Sequence, residues 1–384
     1  MRSSFLFIFC RLVVWLSPTT MMLPATLASA ANFYTDEAFA DPSAPSAPFP
    51  AVATGLDARD ASPSAMTVPL VPLDLKPGTA LASTTEVVGY GDQGADLYPV
   101  CDDCPNRGIV AFTSYDSWRG ISDGSWQNNG ISSGLNFGTR LGRFSDLTGI
   151  GFQIGGSVAA YDWAGTDYRI THANEAQPQG FVTYGVFRKP TENSRWSAGL
   201  VQDWMLNANY GVFGQNPTLS QWRGQVSYAV NAMNEIGLWG TWRSHGDTRF
   251  VDGYGNVRWR PMEQLNAFYH YKWGVGAPDS WLWVGVPERD RLAGDGSLGD
   301  YLVGLSTTAP LSDRFSVYAL VTYMHQSAAA GATGSLEDAW NFTIGLSFYP
   351  ARNARTNTVA GQCWMPMMPV ANNGYFLVDT NQTF

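Results

Sequence analysis

The chain has 384 residues, of which only 14% are charged, against about 25% in a typical soluble domain. A mean hydropathy of −0.13 argues against a helical membrane protein, which needs runs of about 20 apolar residues. A net charge of −9 leaves no basic footprint for a nucleic-acid partner. Forty glycines and 14% aromatics instead suit a chain built from alternating strands.

Residues 1–30 have the layout of a secretory signal peptide. Arg2 supplies the positive start, Leu6 to Leu16 an apolar stretch broken by Arg11, and Ala28-Ser29-Ala30 a small-residue cleavage site. Residues 31–106 then change character, with Pro42, Pro45, Pro48, Pro50, Pro63, Pro69, Pro72 and Pro77 among Ala, Ser and Asp. Proline removes a backbone donor, and such a composition cannot bury enough surface to offset its ordering entropy. A disordered periplasmic tether is expected here, with an envelope partner as its functional reading and a passive linker as the plainer one. Cys101, Cys104 and Cys363 survive cleavage, and an oxidising compartment makes them disulfide candidates. Cys101 and Cys104 have no nearby histidine to complete a zinc set, so no metal is expected.

From 107 to 350 the pattern is a period of two, the repeat of a strand whose two faces meet different environments. Trp340, Phe342, Ile344, Leu346 and Phe348 alternate with Asn341, Thr343, Gly345 and Ser347. Similar rows start near residues 131, 150, 182, 196, 222, 236, 265, 301 and 315. Weaker candidates at 108–118 and 280–286, of unassigned facing, bring the expected total to about twelve strands. A soluble β-sandwich would show Lys and Glu on its polar face. Here that face is Gly, Ser, Thr, Asn and Gln, which suits a crowded interior. Connections alternate between short (142–148, 189–194, 231–234, 310–313) and long (163–178, 206–219, 245–261, 287–298, 326–337). Short periplasmic turns and long outer loops are the habit of transmembrane barrels. The fold class expected is therefore all-β: an antiparallel up-and-down transmembrane barrel of about twelve strands.

The segments Tyr115-Asp-Ser-Trp-Arg-Gly120 and Ala309-Pro-Leu-Ser-Asp-Arg314, with the tail from Cys363 to Phe384, resemble bacterial outer-membrane β-barrels. More narrowly, they resemble an uncharacterised barrel family of planctomycete-type bacteria. The resemblance covers roughly residues 100–384 and implies location and fold, not activity.

Arg140, Asp203, Arg223, Glu235, Arg243 and Lys272 all fall opposite the apolar rows, as does His270. These are the candidate lumen residues of a porin-like channel for small polar or anionic solutes, set in outer-membrane lipid. Four of them are Arg or Lys, which predicts a bias toward anions. Two alternatives compete: a structural or adhesive barrel tethering the envelope through 31–106, and an outer-membrane lipid-modifying enzyme. The enzyme would draw on His172, His245, His270 or His325, where Ser244-His245 and His325-Gln326-Ser327 place a hydroxyl near an imidazole. No lipase motif surrounds them, so neither enzymatic activity nor a cofactor is expected. Residues 351–384 are rich in Trp, Met, Pro, Tyr and Phe. Apolar surface of this kind is a liability in water, so the tail is expected to pack against the barrel mouth or enter the lumen as a partial plug.

Overall fold

In the computed structural model of the chain, the residues described are 107–120, 127–167, 174–190, 194–274, 276–290, 292, 298–325, 338–351, 354 and 364–381. The expected signal peptide and tether, Cys101, Cys104, Cys363 and His172 lie outside them.

Twelve antiparallel strands close into a barrel. In chain order they are β1 (Arg107–Arg119), β2 (Asn128–Arg140), β3 (Ile150–Asp167), β4 (Asn174–Arg188), β5 (Trp196–Asn207), β6 (Thr218–Ala229) and β7 (Asn234–His245). After an outlying hairpin, β8 (Asp247–Val251) and β9 (Gly255–Pro261), come β10 (Gln264–Lys272), β11 (Asp279–Pro287), β12 (Tyr301–Pro310), β13 (Phe315–His325) and β14 (Ala339–Phe348). The wall closes where β1 pairs with β14, from Ala111 opposite Phe348 to Arg119 opposite Trp340. Closure matters because lipid offers backbone groups no hydrogen-bond partner, so a spanning sheet cannot keep an edge. Barrel strands run from 9 to 18 residues, enough to cross a bilayer core, which takes about 9–11 when tilted.

Side-chain facing follows the alternation. Leu135, Ile154, Val158, Leu282, Val284, Ile344 and Leu346 point outward and are exposed, Val158 by as much as 70%. Ser132, Asn136, Gln153, Thr183, Gln225, Asn266, Asn341 and Thr343 point inward and are buried. Aromatic pairs ring the outer surface at the end that carries the short turns: Trp196 on Tyr228, Tyr271 on Trp273 and Phe315 on Phe348, with ring centroids 5.0–5.1 Å apart. Amphipathic rings at that level suit a membrane interface. An exterior this apolar, wrapped around a polar interior, is that of a transmembrane barrel.

Three features depart from the sequence reading. The connection expected over 163–178 is mostly wall, since β3 runs on to Asp167 and β4 starts at Asn174. The 142–148 turn contains a single helical turn, α1 (Arg143–Thr148), ended by Gly149 at φ 70°, a left-handed backbone that favours glycine. The 245–261 connection is not a simple loop. It forms the β8–β9 hairpin, turning through Gly253 at φ 79° and Gly255 at φ 72°. Val257 and Trp259 of β9 are buried and Arg258 faces out, so the same alternation was present in the loop. Its short run hid it.

The C-terminal residues supply β15 (Val378–Thr380), which pairs with β9, Val378 opposite Pro261 and Thr380 opposite Trp259. The resulting three-stranded sheet, ordered β15-β9-β8, lies at the end of the barrel that carries the long loops. Its apolar side joins a core of Trp118, Tyr161, Phe181, Met205, Phe213, Leu219, Val257, Trp259 and Phe376.

The facing makes a quantitative prediction. An arginine near the midplane of the lipid face costs about 2–4 kcal/mol. Leu135→Arg and Ile344→Arg should each reduce the fraction of barrel that migrates as the compact, heat-modifiable form on a gel. Leu135→Val and Ile344→Val should not.

Candidate functional site: a lumen occupied by the C-terminal segment

The inward side chains meet one another and, along much of the lumen, residues 364–381. This segment lies near the short-turn end at Trp364, whose ring is 6.3 Å from that of Phe187. Gly138 lets it pass, since a Cβ there would sit 2.7 Å from the Pro366 nitrogen. Gly155 does the same further up, where a Cβ would be 2.5 Å from Val370. Small residues on the inner rows of β2 and β3 thus form the seat of a second piece of chain.

Polar side chains of the wall then hold the segment by its backbone. Gln153 accepts from the N–H groups of Met367 and Met368, both at 3.0 Å, and donates to the Met368 carbonyl at 2.9 Å. Asn136 donates to the same carbonyl at 3.0 Å. Thr183 accepts from the Ala371 N–H, and Gln221 donates to the Tyr375 carbonyl, both at 3.0 Å. Asn373 reaches the other way, donating to the Tyr161 hydroxyl at 3.0 Å and to Gln179 at 2.9 Å. Tyr161 in turn donates to Asp116 at 2.5 Å, and Asn341 and Thr343 complete that carboxylate's shell at 2.7 and 2.6 Å.

Asp203 and Arg223 form the central ion pair, 0% and 2% exposed. Arg223 donates from Nε to Asp203 at 2.9 Å and from Nη2 at 3.0 Å, a two-pronged fork. Thr183 and Gln221 also donate to this carboxylate. A further Arg223 bond, at 2.7 Å, goes to the Pro369 carbonyl, and the guanidinium lies 4.9 Å from the centre of the Tyr375 ring. One arginine therefore joins the wall to the segment twice, by a hydrogen bond and by a cation–π contact.

A second ionic chain fixes the far end. Arg243 contacts Glu288, Glu288 is 2.9 Å from Arg260, and Arg260 is 2.9 Å from the buried Asp379 of β15. Nearby, burial pushes the Asp247 carboxyl up. The Thr218 N–H, Arg249 and the Thr248 N–H outweigh that and hold it below the ordinary carboxylate value.

A third cluster sits toward the short-turn end, beside the segment. Glu235 accepts from Ser227 at 2.5 Å and Ser197 at 3.0 Å, lies 3.0 Å from His270 Nδ1 and 3.7 Å from Lys272. His270 stacks on Trp281 with centroids 4.0 Å apart, and its Nε2 is 3.6 Å from Asp279. Glu235, His270, Lys272, Asp279 and Trp281, with Lys189, Gln225 and Trp239, line a cavity of about 320 Å³ that borders residues 366–372 and Tyr375.

The seven candidate residues thus fall in four places. Asp203 and Arg223 clamp the segment, and Glu235, His270 and Lys272 share the cavity. Arg140 and Arg243 leave the expected set: they lie at opposite rims, paired with Asp146 at 3.4 Å and with Glu288. Each arginine of that set faces a carboxylate. Of the hydroxyl–imidazole neighbours, Ser327 lies outside the described residues. Ser244 accepts from Gln202 at 3.4 Å, while His325 pairs with Asp338 at 3.0 Å.

Asp116, Gln153, Tyr161, Arg260, Glu288 and Asp379 hold the arrangement together and were not singled out from sequence. Gln153 lay on a polar row. The facing of Asp116 could not be assigned, because β1 carries Val110 and Phe112 on its inner row against Met365 and Tyr318.

Removing one partner of a buried pair leaves an uncompensated charge, at a cost of about 3–5 kcal/mol. Arg223→Met should lower unfolding free energy by that amount in detergent-solubilised denaturant titrations. Arg140→Met, at an exposed rim, should change it by about 0–1 kcal/mol. Gly138→Val should leave the wall folded yet make residues 364–381 accessible to protease, read by peptide mapping.

Among solved structures, an outer membrane channel from Pseudomonas putida F1 is similar over 67% of this chain and 99% of its own, at 9% identity and TM-score 0.43. The KdgM porin is similar over 62% and 98%, at 10% identity and TM-score 0.33. The Pseudomonas putida toluene transporter TodX is similar over 65% and 90%, at 8% identity and TM-score 0.37. No curated protein matches the sequence. One family model covers residues 106–378, the whole wall together with the lumenal segment as far as Val378, and by it the chain belongs to the family of unknown function DUF6666.

Proposed function

We propose that the protein is an outer-membrane, porin-like channel for small polar solutes whose lumen is occluded by its own C-terminal segment. The observation that carries this reading is how the segment is held. It is seated by wall side chains, and a cavity of about 320 Å³ with Glu235, His270 and Lys272 on its wall borders it. An eight-stranded barrel is narrow enough for its own side chains to fill, whereas this twelve-stranded wall takes a separate piece of chain. This wall keeps polar groups that a solute could use once the segment moves.

The paired charges set the expected selectivity. Arg223 faces Asp203 and Lys272 faces Glu235, so neither sign of ion gains a strong advantage from the local field. The solute class favoured is therefore polar and of low net charge, rather than strictly anionic. In this reading the short turns face the periplasm and the β8–β9–β15 sheet faces outward.

Planar-bilayer recording tests the proposal. The full chain should conduct weakly, and a chain lacking 364–384 should conduct several-fold more, with a reversal potential near zero in a salt gradient. A truncated chain that still shows heat-modifiable migration but conducts no better than the full chain would overturn it and favour the structural, envelope-tethering reading.

A further inference from the structure

We infer that the barrel carries its own C-terminal segment across the membrane through the lumen, and holds β15 on the side opposite the start of β1. The lumen is then a conduit that displays part of the same chain. This inference concerns where the segment ends, not whether solutes pass, and needs only that the wall spans a bilayer.

The argument is topological. Arg107 begins β1 at the short-turn end, where it pairs with Thr139 near the end of β2. Tyr349 follows the last wall strand at that same end, its N–H donating to the Arg314 carbonyl at 2.7 Å in the β12–β13 turn region. Ala354 is still there, bonded to the Asp313 carbonyl at 3.0 Å. Trp364 is beside Gly138 and Phe187, again near the short turns.

From there the contacts climb in order. Met368 meets Gln153, four residues into β3. Ala371 meets Thr183 in mid-strand, and Asn373 meets Tyr161 and Gln179, well up β3 and β4. The Met262 N–H donates to the Leu377 carbonyl at 2.9 Å beyond the start of the β10 wall. Asn381 finally bonds to Arg258 and to the Asn256 carbonyl of β9, in the long-loop sheet. A tight turn at Asn372–Phe376 brings Tyr375 back to the level of Arg223 and Phe376 onto Phe181 before the chain goes on to β9, so the net direction is kept although the path is not straight.

Nor could the segment reach that sheet around the outside, since the contacts named are with inward side chains of a closed wall. With Asp379 tied to Arg260, and Asn381 to β9, the far end is retained rather than loosely projecting.

Cysteine labelling tests this. In a chain with Cys10, Cys101, Cys104 and Cys363 replaced by serine, single cysteines are placed at three points. Tyr254→Cys reports the long-loop side, from the β8–β9 turn. Ala232→Cys reports the short-turn side, from the β6–β7 turn. The third cysteine is appended after Phe384. Intact cells receive a membrane-impermeant maleimide before and after permeabilisation. The appended cysteine should follow Tyr254→Cys and differ from Ala232→Cys, whichever way the barrel sits. If it follows Ala232→Cys, or labels from both sides while the two turn probes each label from one, the inference is overturned. Conductance plays no part in this readout, so failure here and failure of the channel reading are distinguishable.

Discussion

A guanidinium inside a barrel has to be matched, because taking an ion out of water costs several kcal/mol that only close and well-aligned partners offset. The Arg223–Asp203 pair meets that demand, and much of the interior is arranged about it. Asp203 also gathers Thr183 and Gln221, each of which holds a backbone group of the lumenal segment. Arg223 directs a further donor to the Pro369 carbonyl and its flat face to Tyr375. Wall and segment therefore satisfy each other's buried polar groups. Neither would be balanced alone, since an unpaired buried donor or acceptor costs about 1–3 kcal/mol.

The rest of the interior divides along the barrel axis. The long-loop half is packed with aromatic and aliphatic side chains, where Trp259 and Val257 of the hairpin meet Phe376 and Val378 of the segment. The short-turn half keeps the serines, the carboxylate and the imidazole around Glu235. The apolar half also encloses the Asp116–Tyr161–Asn373 network, while the other half borders the cavity of about 320 Å³. The Arg243–Glu288–Arg260–Asp379 chain lies at the long-loop end, fastening wall, hairpin and β15 together.

The wall was legible in the sequence because a strand between lipid and an enclosed interior must alternate at every step. Trp340 to Phe348 shows that code without interruption, and Ile131 to Arg140 shows it with only Ser133 and Thr139 breaking the apolar row. The lumenal segment has no such repeat, since it runs as extended chain with contacts on all sides. Only its apolar composition marked it as needing cover. The β8–β9 hairpin was hidden for another reason: its alternation lasts about five residues, too few to separate from a loop. Arg140 and Arg243 had the right parity but the wrong depth. Parity gives the face of a strand and is silent on how far along the axis a residue sits, so both were grouped with the true interior.

The bonds between Asn136 and Met368 join residues 232 apart in the chain, and those from Gln153 span 215. Contacts this remote close slowly, because the entropy of looping is lost before they form. The wall's hairpins can pair as neighbours, but the segment's seat is complete only once β1 and β14 have met. A newly assembled barrel of this kind is thus an unsealed ring until its last twenty or so residues settle. Until they settle, Asn136 and Gln153 lack the backbone groups that they hold in the finished barrel.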